Sequence, residues 1–96
     1  MATVYISEYE RQAPGPVSIA LTPEITSQTV AISGSTVQSA AFGATTSIIR
    51  VHCDAICSIA IGANPTATAT KTRLAANQTE YFGVRGGDKL AVITNA

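Results

Sequence analysis

Apolar and polar residues alternate in short runs along this chain, and each run ends at a turn signal. Residues 3–9 set Val4 and Ile6 against Tyr5, Ser7 and Tyr9, the two-residue period of a strand half sunk in a core. Ala13-Pro14-Gly15-Pro16 then breaks the chain as a turn or linker. Alternation resumes over 17–21 and over 29–33, where Val30 and Ile32 face one way before Gly34. The strongest signal lies in 45–62. Ile49, Val51 and Cys53 oppose Ile48, Arg50 and His52; after a bend at Asp54-Ala55, Cys57, Ile59 and Ile61 oppose Ile56, Ser58 and Ala60. These two segments are expected to form a strand pair. Residues 66–72 are low in complexity, with every Thr on one side of an extended chain. That suits an exposed edge strand or loop, with Lys71 as a blunting charge.

Near the C-terminus, Gly86-Gly87 marks a turn. A three-residue Gly86-Gly87-Asp88 loop pairs Val84 with Leu90 and Phe82 with Val92 on one apolar face, with a glycine in the left-handed conformation. Register is set by such a face, so a hairpin with Phe82 in the core is predicted. About eight strands at this spacing indicate an all-β, small antiparallel β-sandwich or barrel. Residues 14–96 form the single domain, and 1–13 are either an N-terminal arm or its first strand.

Composition sharpens the picture. Ten Ile, seven Val and thirteen Thr outweigh three Leu, the β-branched bias of strands. The sixteen Ala never fall into a helical stripe. Six basic residues balance six acidic ones, so neither a nucleic-acid groove nor a polybasic membrane patch is expected. No run resembles a signal peptide or a membrane span, which points to a protein made in the cytosol. Only 12% of residues are charged, against about 25–35% on surfaces that resist association. Contact with further copies or with a larger partner is therefore expected.

Candidate chemistry is sparse. His52, Cys53 and Cys57 have metal-ligand side chains, but a closed zinc site takes four ligands and alternation splits His52 from Cys53. The cysteines read as free buried thiols; a local disulfide would need a tight bend and an oxidising environment. The carboxylates are scattered singly and no nucleophile elbow or phosphate loop occurs. No enzyme activity, cofactor or metal is expected. Tyr5, Tyr9 and Tyr81 suit an interface, where an apolar ring with a polar tip is useful. Glu8, Glu10 and Arg11 stand beside the first two, so Tyr5, Glu8, Tyr9, Glu10, Arg11 and Tyr81 are the candidate interface residues. Used as an arm, this segment would add a strand to a neighbour's sheet edge.

Three stretches carry a resemblance: Thr3-Val-Tyr-Ile-Ser-Glu-Tyr9, Ser47-Ile-Ile-Arg-Val-His-Cys-Asp-Ala55 with Ile59-Ala-Ile-Gly-Ala-Asn-Pro-Thr-Ala-Thr68, and Leu74-Ala-Ala-Asn-Gln-Thr-Glu-Tyr-Phe-Gly-Val-Arg-Gly-Gly-Asp-Lys-Leu-Ala-Val-Ile93. Together they resemble small tailed-bacteriophage virion proteins, above all the capsid cement, or decoration, proteins. The resemblance covers about two thirds of the chain, in strand and turn patterns rather than a catalytic signature. It implies a jelly-roll sandwich on the capsid surface of a virion, bound to the major capsid protein and self-associating as a homodimer or homotrimer, without nucleic acid, membrane or cofactor. Other readings are a neck, tail or fibre-base component and a carbohydrate-binding module. The absence of Trp weighs against the last.

Overall fold

In a computed structural model of the protein, residues 2–10 and 25–95 are described. Eight strands run β1 (Thr3–Tyr9), β2 (Thr26–Ala31), β3 (Val37–Gln38), β4 (Ile48–Cys53), β5 (Cys57–Gly62), β6 (Thr72–Leu74), β7 (Thr79–Gly83) and β8 (Lys89–Thr94). They build two four-stranded sheets, ordered β2-β1-β4-β7 and β3-β8-β5-β6. Every pairing is antiparallel. The chain is an antiparallel β-sandwich, and its core fills the space between the sheets.

Alternation explains which side chains enter that core. Val4 and Ile6 of β1 and Ile49, Val51 and Cys53 of β4 are buried from one sheet; Cys57, Ile59, Leu90 and Val92 meet them from the other. Val30 and Ile32 point inward as their spacing predicts. Phe42 lies in the connection between β3 and β4, yet it is 2% exposed and belongs to the same core. Its backbone is clamped: Phe42 N donates to Asp88 O at 2.7 Å, and Gly87 N donates to Phe42 O at 2.9 Å. Gly87 has φ of 87°, in the left-handed region foreseen for this loop.

Two expected strand pairs do not form. The 45–62 segments are strands, but β4 and β5 belong to different sheets, and Asp54-Ala55 carries the chain across the sandwich. The C-terminal hairpin is likewise absent, because β7 pairs with β4 while β8 pairs with β5 and β3. Phe82 stands opposite Ile49, and Val92 opposite Ile59 and Val37. Both segments keep their apolar faces inward, since a core accepts such a face from either sheet. Phe82 is half-buried against the core rather than within it.

Residues 3–9 form an inner strand, bonded to β2 on one side and β4 on the other. In this chain they are a sheet element and not a free arm. Residues 66–71 are a loop leading into edge strand β6, with Thr66, Thr68, Thr70 and, in the strand, Thr72 all exposed. The strand expected at 17–21 lies outside the described residues.

Candidate functional site

Register places the outward side chains of the β2-β1-β4-β7 sheet in rows across its solvent face. Thr29, Tyr5, His52 and Thr79 form one row. Ser27, Ser7, Arg50 and Tyr81 form the next. Side chains directly opposite on adjacent strands stand about 5 Å apart at Cβ, so these residues make a continuous surface. Ile25 extends it beyond β2, held by its backbone N donating to Glu8 O at 2.7 Å. The exposed large hydrophobic residues of the described chain are Tyr5 at 46%, Ile25 at 45% and Tyr81 at 55%. All three belong to this one sheet and its extension.

The face is dished. A hollow of about 600 Å³ is lined by Tyr5, Ser7, Ser27, Thr29, Arg50 and His52 among others. The Tyr5 and His52 rings lie 6.3 Å apart, tilted by 45°, and His52 Nδ1 is 2.7 Å from Thr79 Oγ1. That hydrogen bond orients the imidazole along the row. The arrangement offers donors, acceptors and apolar rings side by side, which suits recognition.

The candidate interface residues separate. Tyr5 and Tyr81 stand on the outer face, and Glu10 is exposed just beyond β1. Tyr9 is only 9% exposed, so it offers little surface. Arg11 lies outside the described residues. Glu8 is the correction: it is 2% exposed and shares the inward parity of Val4 and Ile6. Its Oε1 accepts from Thr46 Oγ1 at 2.8 Å and from Gly43 N at 3.0 Å. Its Oε2 accepts from Gln28 Nε2 at 3.3 Å. A buried carboxylate must be hydrogen-bonded, and these three donors meet that need within the fold. Glu8 fastens a connection and is no surface contact.

Sequence reasoning did not join Arg50, His52 and Ile25 to Tyr5 and Tyr81 on one face. Alternation already set Arg50 and His52 outward on β4; the missing information was that β4 lies between the two strands bearing Tyr5 and Tyr81.

The two cysteines lie away from this face, in the core. Cys53 and Cys57 are free, fully buried thiols. Cys53 Sγ donates to Ala75 O at 3.0 Å. Burial, then the neighbouring Cys53, pushes the Cys57 thiol from 9.0 up to about 12. The Cys57 thiol is therefore protonated and weakly nucleophilic at neutral pH. Among the described residues no group of three His, Cys, Asp or Glu side chains could hold a metal ion.

No protein-family model, curated protein or solved structure matches this chain.

Proposed function

We propose that this chain is a non-enzymatic structural protein of a tailed-bacteriophage particle, a cement protein that binds the outside of the capsid and stabilises contacts between major capsid proteins. One observation carries the reading: a single sheet face and its extension expose Tyr5, Ile25 and Tyr81, with Tyr81 directly across from Arg50, in a chain with only 12% charged residues. Such a face serves wide contact rather than chemistry. Repeated over a shell, individually modest contacts act together. The resemblance of the strand and turn segments to decoration proteins supports the same conclusion. In this reading the protein is made in the host cytoplasm, resides in the virion, and self-associates as a homodimer or homotrimer. It needs no cofactor, nucleic acid or membrane.

The strand adjacencies support a jelly roll as the finer description of the sandwich. β2 with β1, β3 with β8, β4 with β7 and β5 with β6 make four successive pairs of one folded ribbon. Rolling that ribbon sets β1 beside β4 and β8 beside β5, the wrapping of a two-sheet, eight-stranded roll. The ribbon is opened between β8 and β1. Both ends meet one dipeptide: Ile32 N donates to Ala2 O at 3.0 Å, and Thr94 N donates to Ser33 O at 2.9 Å. The chain thus reads as a jelly roll whose last strand has moved to the front.

The test is the copy number of the chain relative to the major capsid protein in gradient-purified particles, by quantitative mass spectrometry. A ratio near one, or a simple fraction of it, is expected. A handful of copies would move the protein to the neck, tail or fibre base, and absence from particles would overturn the virion reading.

A further inference from the structure

We infer that the outer face of the β2-β1-β4-β7 sheet receives an acidic patch of a partner protein, with the Arg50 guanidinium taking a carboxylate beside the Tyr81 and Tyr5 rings. For the kind of partner, a protein shell, this rests on the proposed function; the chemistry of the contact comes from the face itself.

Charge comes first. Across the two central rows, Thr29-Tyr5-His52-Thr79 and Ser27-Ser7-Arg50-Tyr81, the ionisable basic groups are Arg50 and His52, and no carboxylate shares those rows. Glu8, the acidic residue of β1, is turned into the interior and held there by Thr46, Gly43 and Gln28. In a chain with no net charge, the Arg50 guanidinium thus faces outward with no carboxylate in either row, and its complement is acidic. Arginine's planar fork matches a carboxylate with two parallel hydrogen bonds. Tyr81 stands directly across from Arg50, and Tyr5 lies on the diagonal through Ser7. Tyrosine and arginine are the side chains that most often dominate interface energetics.

Geometry decides between occupants. A sugar or a base would want a flat aromatic floor, but the Tyr5 and His52 rings are tilted by 45°. The apolar anchors are also spread: Ile25 lies at the β2 side of the sheet and Tyr81 on the opposite edge strand β7. A contact spanning that width is a protein surface rather than a single ring in a pocket. A second copy docked symmetrically through this face would bring Arg50 against rows that hold no carboxylate, so it does not supply the acidic complement.

The experiment is an amide and arginine side-chain NMR titration of the full chain with three probes: blocked hexaglutamate, blocked hexalysine and trigalacturonate. Hexaglutamate is expected to shift Tyr5, Ser7, Arg50, His52 and Tyr81 signals and leave β3-β8-β5-β6 unmoved. Arg50→Gln should weaken that binding at least about tenfold with the remaining spectrum unchanged, and Tyr81→Ala should weaken it in the same direction. Equal response to hexalysine, a stronger response to trigalacturonate, or shifts centred on the other sheet would overturn the site. So would sedimentation showing a dimer that buries this face. The outcomes separate from the copy-number test: binding of hexaglutamate without capsid-like copy number overturns the cement reading alone, and the reverse overturns this inference alone.

Discussion

Glu8 and Thr46 are 38 positions apart in the chain, and the Thr46 hydroxyl donates a 2.8 Å hydrogen bond to Glu8 Oε1 inside the sandwich. Both side chains are 2% exposed. This contact, with Gly43 N on the same oxygen, ties the connection that enters β4 to the inner strand β1. Thr46→Val removes the donor while keeping the shape and should cost about 1–3 kcal/mol. Glu8→Ala leaves Thr46 Oγ1, Gly43 N and Gln28 Nε2 without their acceptor and should cost about 2–4 kcal/mol. The double variant should cost less than the sum, since the pair shares one interaction. Urea denaturation of the three variants reads this, and strict additivity would mean that the hydrogen bond carries no coupling.

The position of β1 gives a second prediction, in two halves. Deleting residues 1–10 removes a strand bonded on both sides, so circular dichroism should show loss of the cooperative melt. Moving the same strand should be tolerated. A circular permutant that begins at Ser18, passes from Ala96 through a short Gly-Ser linker into Met1, and ends at Val17 should fold, because Ala2 and Thr94 both bond to Ile32-Ser33. A permutant without a cooperative transition would refute the closed-ribbon description.

Close approach at Gly86 supplies a third. A Cβ built there would lie 2.4 Å from the Ala44 carbonyl oxygen, a backbone atom that cannot swing aside. Gly86→Ala should destabilise by about 1–3 kcal/mol. Gly34→Ala, with nothing within 4 Å, should stay within about 0.5 kcal/mol of the native protein. Thermal melts of both compare the two sites directly.

The Cys57 thiol predicts a dependence on alkaline pH. Burial and Cys53 raise it from 9.0 to about 12, so above pH 9 the unfolded chain releases a proton that the folded chain retains. Linkage then lowers stability as pH rises: its contribution is whole below 9.0 and is lost progressively towards about 12. Urea midpoints should fall over this window, and Cys57→Ala should show a shallower fall. Iodoacetamide should label the thiols slowly in the folded protein and readily after unfolding. Rapid labelling under native conditions would contradict the buried placement.

Much of this fold was legible from alternation. Val4, Ile6, Val30, Ile49, Val51 and Cys53 all point inward as their two-residue period requires, and the turn at Gly87 takes the predicted left-handed backbone. Glu8 was legible in the same way, since its parity is that of Ile6; its charge argued for the surface, and only Thr46, Gly43 and Gln28 make its burial tenable. Phe42 was not legible, because it follows no alternating run and enters the core through a connection.

The sequence by itself determined the class of element and the inward face of each strand with a clear alternation, because a side chain's side follows from its own local backbone. Which strands lie together was decided by the tertiary structure. An apolar face such as Phe82 and Val84 satisfies a core equally well from either sheet, and the backbone bonds that choose β4 for β7 and β5 for β8 join residues distant in the chain. The same decision gathered Tyr5, Arg50 and Tyr81, from three separate strands, onto the face on which the proposed function depends.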